Sequence, residues 1–151
     1  MKNFYNYYFI FILILTLPLH SNSQSNLLDS LTTLLSKTSE DTLKIKILIE
    51  LGDYNFGDGN NKKALEFNNS ALALSKQIHF LKGEATALTK IGVIQENIGN
   101  YTIALSNYFE ALKIRTKIND STGIAACYNN IGLSYYYMGN YPEAIKNHLF
   151  A

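Results

Sequence analysis

Offset by forty residues, the chain overlays itself. Gly52, Gly92 and Gly132 align; so do Gly59, Gly99 and Gly139, and one step later Asn60, Asn100 and Asn140. Ala64, Ala104 and Ala144 form a fourth column, and Ala71, Ala111 and Ala151 a fifth. Leu72 also matches Leu112, and Ala85 matches Ala125. Five columns held through three copies without a gap are more than chance supplies. A fixed period of roughly 20–50 residues marks a stacked array, in which each unit buries its apolar face on the next.

Each unit reads as two helices. In the middle copy Ala85, Leu88, Ile91 and Ile98 recur at helical spacing, which predicts a first helix from about Ala85 to Ile98. Gly99-Asn100 breaks it, since glycine takes the left-handed conformation that follows many helix ends. A second helix follows from about Tyr101 to Ile118, with Ala104, Leu105, Tyr108, Ala111, Leu112 and Ile118 as its buried stripe. Asn119-Asp120-Ser121 ends it and caps the next. The earlier copy repeats this order as far as Ile78, and the later copy stops inside its second helix. Gly92 and Ala104 are expected where the two helices cross closely, and Ala111 where the next repeat packs. Alternating strand patterns and hairpin turns are missing.

These residues resemble the tetratricopeptide repeat family. Its pattern is a large residue, then an aliphatic-Gly pair, a Tyr, and later Ala followed four positions on by an aromatic. The third copy supplies Tyr128, Ile131-Gly132, Tyr135, Ala144 and His148; the second supplies Leu88, Ile91-Gly92, Gln95, Ala104 and Tyr108. The first copy is degenerate, with Leu48, Leu51-Gly52, Asn55, Ala64 and Asn68. Tryptophan is absent, no proline follows either complete second helix, and the period is longer than the family's usual 34 residues. In this it is similar to extended-helix variants, such as those of kinesin light chains and bacterial signalling proteins. The resemblance covers about residues 43–151 and implies an all-α, right-handed superhelical α-solenoid. The repeats are expected at 43–82, 83–122 and 123–151, behind an amphipathic helix at 25–37 whose Leu27, Leu28, Leu31, Leu34 and Leu35 pack on the first repeat. Thr38-x-x-Asp41 suggests a capping box before the next helix.

The N-terminus has a different grammar. One lysine precedes an apolar run from Phe4 to Leu19, and small polar residues follow, Ser21 and Ser23 among them. This is the layout of a signal peptide over residues 1–23, cut before Gln24, and predicts export across the cytoplasmic membrane to the periplasm or cell surface. The alternative is an uncleaved anchor through residues 4–19, although sixteen helical residues span roughly 24 Å, short of a hydrocarbon core. Without Lys2, the 13 basic residues fall to 12, against 12 acidic ones. A neutral chain without basic clusters has no electrostatic footprint for nucleic acid.

Little in the sequence carries chemistry. "DYNFGDGNN", residues 53–61, has the Asp and Asn spacing of a calcium loop, but Asp58 stands where such a loop needs Gly and Ala64 where it needs Glu. The three histidines are scattered, so no metal site is expected. Cys127, the single cysteine, is expected in the core. No cofactor motif and no catalytic grouping stand out, and the chain is not read as an enzyme.

The family resemblance implies instead a concave groove lined by the first helices, which binds a peptide or protein. Carried across, its lining is Lys46, Ile49, Asp53 and Phe56; Thr86, Thr89, Val93, Glu96 and Asn97; Ala126, Asn129, Leu133, Tyr136 and Tyr137. In "YYY", residues 135–137, Tyr135 is expected inside and Tyr136 and Tyr137 toward the groove; packing on a neighbouring repeat is the competing role. The last helix is short and leaves Ile145, Leu149 and Phe150 uncovered, so the chain is expected to be the front part of a longer protein. Two functional readings remain open: an exported interaction module, or the extracytoplasmic sensor region of a membrane signalling protein of the sensor histidine kinase or regulator type.

Overall fold

The computed structural model describes residues 26–151, all of whose regular elements are helices. The signal-peptide region falls outside the described residues. A first helix, α1, covers 26–37. It is followed by α2 (Asp41–Gly57), α3 (Asn61–Gln77), α4 (Leu81–Asn97), α5 (Tyr101–Lys117), α6 (Ser121–Tyr137) and α7 (Tyr141–His148). Five of these have 17 residues each. The turns between them have three residues, so the forty-residue period is two equal steps of helix and turn.

One turn geometry recurs at the five joints from α2 to α7. The middle residue is left-handed: Gly59, Gly99 and Gly139 inside the repeats, with φ of 76–83°, and His79 and Asn119 between them, with φ of 57° and 55°. The residue after it donates its backbone N–H five positions back, as Asn60 does to Asn55 and Phe80 to Ser75, both at 2.8 Å. This closure satisfies the last carbonyls of one helix while the chain turns into the next. Asn60, Asp120 and Asn140 then act as N-caps, accepting from the backbone N–H of Lys63, Gly123 and Glu143. The capping box expected at Thr38 does not form. The N-cap of α2 is Glu40, without a side-chain cap bond, and the Thr38 hydroxyl accepts from the Glu40 N–H at 3.3 Å instead.

Helices begin at 41, 81 and 121, ahead of the starts that the apolar stripe suggested. The first turn of α4, Leu81–Glu84, lies before Ala85 and holds Gly83, a poor helix former. Gly83 is buried because it packs closely on α3, where an added Cβ would lie 2.7 Å from the Ser75 Oγ. Ile98, expected in the buried stripe, is the C-cap of α4 and 43% exposed. The turn carries it out of the helical register.

Within each repeat the glycine column meets the second helix. Gly92 faces the ring of Tyr108, Gly52 the side chain of Asn68, and Gly132 the ring of His148. The close partner of Gly92 is therefore the residue one turn beyond Ala104, although Ala104 is itself fully buried. Around this crossing lie Leu105, Tyr108 and Ile131, with Val93, Leu112 and Tyr135 packed against them. Ala111, Leu88 and the buried thiol of Cys127 form the contact to the next repeat. At the N-terminal end Leu28, Leu31 and Leu35 of α1 pack on Leu43, Ile47 and Leu51 of α2 and on Phe67 of α3, while Leu27 and Leu34 stay exposed.

Candidate functional site

Neighbouring helices pack in chain order, α2 on α3, α3 on α4, and onward to α7. Beyond these, α2 also touches α4 and α4 touches α6, whereas the backbones of α3 and α5 stay apart. Those two outer helices reach each other through Lys76 and Glu110, at 3.2 Å. The first helices of the repeats are therefore closer together than the second, and the stack curves with α2, α4 and α6 on its inner side.

The side chains expected in the groove distribute along this inner layer. On α2, Ile49 is half-buried and Asp53 exposed. On α4, Thr89 and Val93 are half-buried and Asn97 is exposed; the Thr89 hydroxyl donates to its own helix at the Ala85 carbonyl. On α6, Asn129 is exposed and Leu133 half-buried. The helices are bridged by polar side chains. Lys90 donates to Asp53 across α4 and α2 at 2.7 Å, and the Ser134 hydroxyl donates to Glu96 across α6 and α4. Burial pushes the Glu96 carboxyl above the ordinary value of 4.5, and the Ser134 bond opposes this only in part. Tyr108, beneath them, has its phenol pushed up by burial and by the Glu96 charge.

Toward the N-terminal end, α2 and α4 frame a cleft of about 420 Å³. Ile45, Ile49 and Phe80 supply its apolar lining, Lys46, Glu50 and Lys82 its charge, and Gly83 and Thr86 complete it. Lys46, Ile49 and Thr86 are thus brought together. Tyr136 and Tyr137 are not in this cleft. They sit at the C-terminal end of α6 and gather with the first residues of α5 and α7. Tyr137 stacks on Tyr101 with ring centroids 5.7 Å apart, Tyr136 meets Tyr137 edge-on at 5.8 Å, and Tyr136 meets Tyr141 edge-on at 5.7 Å.

Lys90, Ser134, Tyr101 and Tyr141 are residues that the sequence did not single out. The forty-residue offset places Tyr101 and Tyr141 in one column, which is the only trace of the cluster in the sequence. Among the described residues, no three His, Cys, Asp or Glu side chains come together as a metal site. No helix of the described residues is long and apolar enough to cross a membrane.

A family model described as tetratricopeptide repeat matches residues 83–149. No curated protein matches the sequence. Among solved structures, the TPR domain of Arabidopsis FLU superposes with a TM-score of 0.68 at 20% identity, covering 72% of this chain and 92% of that one. BtubC (BKLC) from P. vanneervenii gives 0.69 at 24% identity, covering 76% of this chain and 46% of that one. A Rap protein complexed with competence and sporulation factor gives 0.74 at 17% identity, over 85% of this chain and 37% of that one. The chain spans less than half the length of these last two, and at such identities the likeness is one of fold. Residues 83–149 thus match the tetratricopeptide repeat model, and the helices before them continue the same stack.

Proposed function

We propose that the chain is a non-catalytic interaction module that binds a peptide or protein along the face formed by α2, α4 and α6. The observation that carries this reading is the composition of that face. It runs across three helices, and the apolar Ile49, Val93 and Leu133 alternate there with the polar Asp53, Thr89, Asn97 and Asn129. Such a surface can bury a partner's apolar side chains and still pair its backbone amides. The cleft between α2 and α4 offers one apolar recess with lysines at its rim. The Rap protein, structurally similar, was solved in complex with competence and sporulation factor, which gives a precedent for a bound ligand on such a stack.

The test is a displayed random-peptide library selected against the chain. Selected peptides are expected to lose affinity for Thr89→Arg and Asn129→Arg variants whose helical circular dichroism is unchanged. Peptides that bind both variants as tightly as the parent would show that this face is not the binding surface.

Export belongs to the same proposal. It rests on the sequence of residues 1–23, with cleavage before Gln24. N-terminal sequencing of the protein recovered from cells checks it. A product that begins at Gln24 fits, and one that retains residues 4–19 makes the segment an anchor.

A further inference from the structure

The two joints between repeats close with the same backbone geometry but with different side chains. At the α5–α6 joint the Asp120 carboxylate accepts the Gly123 N–H at 3.0 Å and pairs with Arg115. Forty residues earlier, at the α3–α4 joint, the same three places are held by Phe80, Gly83 and Ser75. Phe80 has no acceptor to offer, and α4 begins without a side-chain cap bond. Two polar groups are left there. The Gly83 N–H stands in the first turn of α4, at the positive end of the helix dipole. Behind it Ser75 is completely buried, its Oγ has no hydrogen-bond partner, and it lies 2.7 Å from where a Cβ on Gly83 would stand. Glu84, the acid of this turn, is directed to Lys76 of α3, 3.9 Å away.

Gly83 also lines the cleft of about 420 Å³ between α2 and α4. Lys46 and Lys82 stand at its rim, and neither is ion-paired among the described residues; Glu50 is the one carboxylate of the lining. Lys82 also lies near Asp120, but that carboxylate is already paired with Arg115. Ile45 closes the floor, fully buried, with Ile49 and Phe80 half-buried beside it. We propose that this cleft and the first turn of α4 form a subsite for an Asp or Glu side chain of a bound peptide, whose neighbouring apolar side chain fills the cleft over Ile45 and Ile49. The proposal rests on the reading of the chain as an interaction module and names what that face reads at its N-terminal end. The fold itself points to the carboxylate, because the next joint places one of its own, on Asp120, against the equivalent N–H. Two lysines against one glutamate favour the same charge. A carboxylate that accepts a backbone N–H at a helix start makes a charge-assisted bond, and the apolar recess beside it supplies the burial that a lone ion contact lacks.

The experiment is an amide-resolved NMR titration of the labelled full chain with acetyl-Gly-Ser-Asp-Leu-Ser-Gly-amide, blocked at both ends so that its only carboxylate is a side chain. Saturable shifts confined to the cleft are expected, with the Gly83 amide proton moving downfield as it gains an anionic acceptor. Replacing the peptide's Asp by Asn, or its Leu by Ala, is expected to weaken binding about tenfold or more, and Lys82→Glu to do the same. Phe80→Asp gives α4 a carboxylate of its own, as Asp120 gives α6, and is expected to abolish binding while helicity is kept; should that variant not fold, Lys46→Glu takes its place. No shift of Gly83 up to about 10 mM peptide, equal binding of the Asn peptide, or indifference to the lysine variants would each overturn the proposal. If this peptide fails while library peptides still bind in a Thr89-dependent way, the interaction-module reading stands and only the subsite falls.

Discussion

The ring of Tyr108 packs directly against Gly92, so that a Cβ on the glycine would lie 2.8 Å from the tyrosine Cδ1 and closer still to Cε1. Tyr108 is fully buried and cannot swing out to solvent. The contact ties α4 to α5. Gly92→Ala is expected to destabilise the protein by about 1–3 kcal/mol, because overpacking outweighs the better helix propensity of alanine. Gly57 provides the control, since it ends α2 with nothing within 4 Å of an added Cβ. Gly57→Ala is expected to be neutral or to stabilise by up to about 1 kcal/mol. Urea unfolding of the two variants checks the difference in sign.

The equivalent slot one repeat earlier holds Asn68. It is completely buried; its Nδ2 donates to the Ala64 carbonyl, and its Oδ1 has no partner. A buried acceptor without a donor costs about 1–3 kcal/mol. Asn68→Leu keeps the volume and removes the orphaned oxygen. We expect it to raise the melting temperature, and a lower melting temperature would mean that the amide holds α3 in place.

Glu96 predicts a pH dependence with a definite sign. Its carboxyl pKa is raised in the folded protein, chiefly by burial, so between the unfolded value and the folded one the folded state binds the extra proton. Its contribution to stability is therefore fully present below the unfolded value and is lost as pH rises through the folded one. Glu96→Gln keeps a partner for Ser134 and cannot ionise. Melting temperatures measured from pH 4 to 7 are expected to show the variant gaining on the parent as pH rises. Parallel curves would show that Glu96 does not titrate in that window.

Cys127 is the only cysteine and is fully buried. Burial pushes its thiol up, which disfavours the reactive thiolate. Ellman's reagent is expected to label the native protein only as fast as α6 opens, and to label it at once in denaturant. Immediate labelling without denaturant would show that the contact between α5 and α6 is loose.

The helix pairs, their turns and their small-residue columns were legible because each recurs at an offset of forty. The contacts between repeats were not. Asp53 meets Lys90 across 37 residues, Glu96 meets Ser134 across 38, and Tyr101 meets Tyr137 across 36. Adjacent repeats are displaced and rotated against each other, so their side chains meet up to a helical turn short of the period. A column aligned at forty never pairs these residues. The apolar stripe likewise missed the first turns of the helices. Leu81 and Gly83 owe their place to the turn before them and to a close approach, and no amphipathic pattern marks either.

The equal step of seventeen helical residues and a three-residue turn has one more consequence. Every joint from α2 to α7 uses the same backbone closure, whether it lies inside a repeat or between two. Cutting out residues 81–120 would therefore bring Phe80 to Ser121 in the geometry that Asp120 already uses, with α3 then facing α6 as α5 does. A gene can lengthen or shorten such a protein by whole units through simple duplication or loss, and the surviving links need no new hinge.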